Sequence, residues 1–320
     1  MKTIFFYWLN FSKFFIGCIF LGFVFFIRHL EIYNGYGNFE EQKKSIIIFI
    51  ILLIQILINI KIIKTKYLSQ KNHLIILFYI LFVLIIPLNS LEINIFISSL
   101  ILILLIKNIF NFSMTENNLR SIFYSGFWII ILQLFFFKWA ILYFIVLWIV
   151  FLLFKVFTLQ NILTSIIPIF IVLIITFALE HYLPNNININ WNNIFEIKRF
   201  NQENITHYKT LFFLVILPLT VMFFYSIFNL ISGKQIKEKL LFSSLLLFLV
   251  TIIISLFVAA KTNNESVYLI FPMSLFFVKF TEIISSKKKQ IVFLIIFSLI
   301  VIYLKINFFT YNKNIINFLF

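Results

Sequence analysis

The chain has 320 residues, 62% of them apolar and only 12% charged, with 26 Lys and Arg against 11 Asp and Glu for a formal charge of +15. Soluble domains carry about 25% charged residues, so this composition excludes a water-covered globule and leaves lipid as the solvent for much of the surface. The basic residues punctuate the ends of apolar runs instead of gathering on one face, which excludes a nucleic-acid binder.

Taken in order, the N-terminus MKTIFFYWLNFSKFFIGCIFLGFVFFIRHL resembles a signal peptide but lacks a small-residue cleavage site. It is expected to remain as a first span, Phe14 to Ile27, with residues 3 to 9 and Trp8 at the interface. A polar stretch from Arg28 to Lys44 follows, carrying Glu31, Glu40 and Glu41. The second span is Ser45 to Ile63, the third Leu74 to Leu88 and the fourth Ile93 to about Phe110.

The stretch Ser121 to Phe154 organises the middle of the chain: 34 residues with one charge, Lys138. As a single helix it would run about 50 Å against a hydrocarbon core of about 30 Å. Two short crossings, spans five and six, joined at Phe137-Lys138-Trp139, fit better. The seventh span is Ile162 to Leu179, containing Pro168, and a long polar segment occupies 180–210. The eighth is Leu211 to Ser232, the ninth Leu241 to Ala260, the tenth Val267 to Ile284 and the eleventh Ile291 to Phe309. The expected fold is an all-α polytopic transmembrane bundle of about 11 spans (10–12), a single integral membrane domain over 1–320.

With the N-terminus inside, the inward connectors hold 16 Lys and Arg and the outward segments 10. The contrast is sharpest in short loops, where the rule is strongest. Basic connectors at 61–71, 234–239 and 287–289 fall inside, and the bare turn at 89–92 falls outside. The orientation is N-in, C-out. Only 6 glycines occur, so packing is expected to rely on interlocking large side chains.

Three stretches together carry a resemblance: FFYWLNFSKFFI at the start; KYLSQKNHLIILFYILFVLIIP with IFISSLILILLIKNIFNF and the central hairpin; and NNESVYLIFPMSLFFVKFTEII near the end. The chain resembles an uncharacterised (domain-of-unknown-function) family of bacterial multi-pass inner-membrane proteins from gliding, AT-rich bacteria. That resemblance implies an inner-membrane location and no particular activity. Members are sometimes labelled carotenoid-cleaving monooxygenases, whose iron needs clustered histidines. Here His29, His73, His181 and His207 are scattered over separate loops.

Three functions compete. A lipid-linked glycosyltransferase would place a carboxylate in the first outward loop, where Glu31, Glu40 and Glu41 are candidates, with Arg28, Lys43 and Lys44 for the phosphate. A small-molecule or ion transporter would use membrane-buried polar groups: Gln55, Asn59, Gln133, Lys138, Lys279 and Glu282. Lys279 and Glu282, three apart on a helix, also suit a simple pair, and Gln55, Asn59 and Gln133 also suit helix packing. The leading expectation is an envelope assembly or scaffold component. Its partners would be the lipid bilayer and other envelope proteins, with no nucleic acid. Cys18 is the lone cysteine, and no metal or cofactor motif is present in the sequence.

Overall fold

A computed structural model describes residues 39–66, 72–85, 93–112, 119–136, 140–182, 236–259, 267–283, 288 and 290–299. All regular structure among them is helical. We number the helices α1 (Phe39–Lys66), α2 (Asn72–Ile85), α3 (Ile93–Phe112), α4 (Leu119–Ile131), α5 (Leu142–Leu153), α6 (Leu159–Tyr182), α7 (Ile236–Ala259), α8 (Ile270–Ile283) and α9 (Gln290–Leu299). The expected first and eighth spans, the 183–210 part of the long polar segment, Arg28, Glu31 and Lys138 lie outside the described residues.

Among the described residues, three helices contain stretches long and apolar enough to cross a membrane: Lys43–Ile62, Ile93–Asn111 and Leu159–Ala178. The other apolar helical stretches among the described residues are 10–17 residues long. The chain forms two compact units, one from residues 1–93 and 273–320 and the other from 94–272.

In the first unit, α1 begins at Phe39, inside the stretch expected to be a loop. Glu40 and Glu41 therefore lie in the first turns of a 28-residue helix, ahead of Lys43 and Lys44, which are exposed. The reason is local. No Pro or Gly interrupts residues 39–66, and acidic residues near a helix N-terminus meet the positive end of its dipole. Helix α1 buries Ile48, Leu52, Ile56 and Ile62 and exposes Ile46, Ile47, Ile50, Ile54 and Leu57. Both faces are apolar, which a water-facing helix would not tolerate.

Helix α2 is apolar almost all round, and between Leu74 and Val83 only Leu77 is exposed. Phe78 and Phe82 of α2 join Phe277 of α8 and Phe293 and Phe297 of α9 in a five-ring cluster, with centroids 4.7 to 6.2 Å apart. Tilted and edge-on pairs of this kind add about 0.5–1.5 kcal/mol each beyond burial. This part of the molecule is packed through large side chains, as the composition suggests.

The second unit is packed otherwise. α4 lies along α6, and the contact is made by Gly126 against the Ser165 carbonyl. A Cβ built at Gly126 would collide with that oxygen and stand 3.3 Å from the Pro168 ring. The expected reliance on interlocking large side chains does not hold at this contact. Between helices in lipid there is little hydrophobic gain, so close backbone approach at a small residue supplies the attraction. Pro168 lacks an N–H, which releases the Thr164 carbonyl from the helix ladder.

The central stretch divides where its length requires. α4 passes into a π-helical turn, Leu132–Phe136, and α5 starts at Leu142. The two halves do not form a self-packed hairpin: α4 packs chiefly on α6 and α5 on α7.

α5 closes with a Schellman-type cap. The Lys155 N–H donates to the Leu152 carbonyl at 3.1 Å and the Val156 N–H to the Phe151 carbonyl at 2.9 Å. Lys155 sits at φ 58°, the left-handed region where glycine is usual. Three residues later α6 opens: the Thr158 hydroxyl accepts the Asn161 N–H at 3.2 Å, and the Asn161 amide donates back to the Val156 carbonyl at 2.6 Å. This reciprocal clamp makes the α5–α6 connection short.

Candidate functional site

Away from their ends, the described helices bury many of their uncharged polar groups. α6 shows it most clearly. Its buried stripe is Asn161, Ser165, Pro168, Val172 and Thr176, spaced four, three, four and four residues apart. Its exposed stripe is Leu159 (76% exposed), Leu163, Ile167, Phe170 (62%), Ile174 and Phe177 (71%). This is the reverse of a water-soluble amphipathic helix, with polar groups toward protein and aliphatic and aromatic groups outward. Only 28% of its membrane-length window is buried, against 61% for α3. α6 is therefore much the more exposed of the two.

Buried hydroxyls are spent on joining helices or on carbonyls of their own helices. Ser165 Oγ donates to the Ile162 carbonyl at 2.7 Å and accepts the Trp148 indole N–H from α5 at 3.3 Å. Ser98 of α3 donates to the Ile95 carbonyl at 2.8 Å and pairs with the Tyr268 hydroxyl at 2.6 Å. With the serine proton already placed, Tyr268 is the donor of that pair. Ser99, Ser125, Thr176 and Thr281 bond to carbonyls three or four residues back in their own helices.

Gln133, one of the sequence candidates, lies in the π-helical turn and is buried. Its Oε1 accepts the Ile141 backbone N–H at 2.9 Å. Ile141 precedes α5 and offers no side-chain cap of its own. The glutamine thus takes the N–H of the N-cap residue itself, as a capping-box Glu or Gln does, reaching across the break between two half-helices.

Gln55 and Asn59, also sequence candidates, lie four residues apart on the buried face of α1, each 1% exposed. The hydroxyl of Tyr79, on α2, donates to Gln55 Oε1. Asn59 differs: both Nδ2 and Oδ1 are buried with no hydrogen-bond partner. Leaving a buried amide unsatisfied costs about 1–3 kcal/mol, more than a typical bond returns.

Lys279 and Glu282 fall on α8. Glu180 and His181 fall on the last turns of α6. At the N-terminal end of α4, exposed Arg120 lies over the Tyr124 ring at 5.6 Å from its centroid. Among the described residues no three His, Cys, Asp or Glu side chains come together as a metal group.

Sequence reasoning passed over Tyr79, Ser98, Tyr268, Asn161 and Ser165. Tyr79 carries the only hydroxyl in the run Leu74–Leu88, and Ser98-Ser99 interrupts the otherwise apolar run 95–106; those breaks were the available signal. Compared with protein-family models, curated proteins and solved structures, the chain matches none.

Proposed function

We propose that this chain is a multi-pass protein of a bacterial inner membrane, with about 11 spans and an N-in, C-out orientation, acting as an envelope assembly or scaffold component. The observation that carries the membrane reading is the inverted amphipathicity of α6. It buries Asn161, Ser165 and Thr176 and turns Leu159, Phe170, Ile174 and Phe177 outward. The scaffold reading is supported by where the other buried polar groups go. Hydroxyls and amides of α3 to α6 are committed to helix-joining and backbone bonds, the use expected of a rigid frame. The family resemblance belongs to this proposal.

The test is in-membrane cross-linking of the full chain followed by purification. A defined partner is expected to co-purify, and to be lost when residues 185–200 are replaced by a Gly-Ser stretch of equal length. A chain that captures the same proteins with and without that segment overturns the contact surface proposed.

Transport of a small solute is the second reading. It is favoured by two specific observations: an unsatisfied buried amide on α1, and a helix broken around the buried Gln133. A cysteine placed at Gln133 would then react with a water-soluble thiol reagent, whereas a dry, packed position would not.

A further inference from the structure

Three helices of the second unit share one end. Gly126 of α4 and Trp148 of α5 both meet Ser165 of α6, the first at its carbonyl and the second at its hydroxyl. An unbroken helix would hold Gly126 and Trp148 about 33 Å apart, so the chain turns back between α4 and α5. It turns back again at the capped connection 154–158, because Trp148 and Ser165 stand on either side of it. α4 and α6 therefore start at the end where α5 finishes. Arg120 lies about 9 Å from the level of Gly126 toward that end, Leu159 about 9 Å from Ser165, and Lys155 about 10 Å from Trp148.

This end is positive and apolar at once. Arg120 and Lys155 are both exposed. No Asp or Glu occurs anywhere from Arg120 to Leu179, and Glu116, ahead of α4, lies outside the described residues. α4 and α6 both turn the N–H groups of their first turns this way, and their dipoles add partial positive charge. Beside the two cations Tyr124, Leu152, Phe157 and Leu159 are exposed as well. Exposed hydrocarbon on that scale is unfavourable in water and favourable against acyl chains.

The backbone at Lys155 gives a second, separate indication. Its φ of 58° suits glycine and strains a residue with a Cβ. The Thr158, Asn161 and Val156 clamp holds the connection in that form without help from the lysine side chain. A lysine kept where the backbone favours glycine points to a use for its charge. Arg120 is steadied on the Tyr124 ring, and a guanidinium stacked on a ring face still has its in-plane N–H donors to give.

We infer that this end of α4, α5 and α6 binds the phosphate of an anionic phospholipid. Lys155 and Arg120 take the headgroup, and the acyl chains lie along Leu152, Phe157 and Leu159. The inference rests on the membrane reading of the chain, and the N-in orientation puts the site in the cytoplasmic leaflet. An anionic lipid matches both halves of this surface, the charge and the hydrocarbon next to it, whereas a soluble anion matches only the first.

The test uses the full chain in detergent micelles, titrated with dioleoyl phosphatidylglycerol and separately with dioleoyl phosphatidylcholine, with bound lipid counted by native mass spectrometry. The anionic lipid is expected to bind more tightly. Lys155→Gln and Arg120→Gln should each lower that preference about fivefold, and the double variant should abolish most of it. Glutamine at 155 keeps the same backbone demand, and both positions are exposed, so thermal melts should be unchanged. Lys288→Gln, exposed in the other unit, should leave the preference as it is. Equal affinity for the two lipids in the parent overturns the inference. So does a loss from Lys288→Gln as large as that from Lys155→Gln, which would mean diffuse surface charge. Displacement of the lipid by glycerol 3-phosphate at comparable concentration would assign the site to a soluble anion and overturn it too. Failure of the membrane reading looks different: the chain would then stay monodisperse in buffer without detergent.

Discussion

The α1–α2 contact and the α4–α6 contact join helices by opposite means. α4 and α6 meet at a glycine, backbone against backbone, with every nearby buried hydroxyl bonded to a carbonyl or an indole. α1 and α2 meet through long aliphatic side chains and one tyrosine–glutamine bond, with an amide left over one turn away. The difference teaches that two pairs of helices in one chain are fixed by different means. A glycine seated on a carbonyl has one position only, because the neighbouring rungs cannot substitute for it. The α1–α2 contact rests instead on the shape of large side chains and on the one polar pair, with Asn59 buried one turn away.

The sharpest way to break this contrast is to fill the α4–α6 contact. Gly126→Val should destabilise the protein by at least about 3 kcal/mol, at or beyond the top of the usual range for overpacking, because the atom in the way is backbone. Thermal unfolding in detergent micelles reads the effect. A change within a few tenths of a kcal/mol would show that α4 and α6 are not held at that point.

The two isolated amides should then respond with opposite signs. Gln133→Leu removes the acceptor of the part-buried Ile141 N–H and should cost about 1 kcal/mol in the same melts. Asn59→Leu removes a group that already lacks partners and should raise stability by about 1–2 kcal/mol. Equal losses from both substitutions would mean that Asn59 is satisfied as fully as Gln133.

The smallest effect expected is at the α5 cap. Lys155→Gly relieves a left-handed backbone at a lysine but loosens the unfolded chain, and should stabilise by about 0.5 kcal/mol. A loss instead would show that the lysine side chain contributes more than its backbone costs.

What was legible from the residues alone divides along the same line. Helical segments and their approximate limits follow from apolar length, so α2, α3 and α6 fall close to where the runs Leu74–Leu88, Ile93–Phe110 and Ile162–Leu179 place them. The break in Ser121–Phe154 follows from arithmetic on that length. The start of α1 was misplaced because charge in Glu40–Lys44 reads as loop, while helical backbone only requires that nothing interrupt it.

Gly126 carried no signal beyond its rarity, since its meaning depends on Ser165 of another helix. Gln55 and Asn59 were visible as polar interruptions in an apolar run. Which of them had a partner was not, because Tyr79 sits on a different helix and tyrosine is common in this chain. Pairwise facts of that kind are set by three-dimensional approach, and a one-dimensional pattern does not contain them.

The claim underneath all of this is that lipid surrounds the outward face of α6. It is tested most directly by thiol labelling in sealed native membranes, on a Cys18→Ser background, with a maleimide too polar to enter lipid. Phe170→Cys should remain unlabelled in membranes opened to both sides, while Lys155→Cys labels readily. Equal labelling at the two positions would put water against the Leu159–Phe177 stripe and contradict the account.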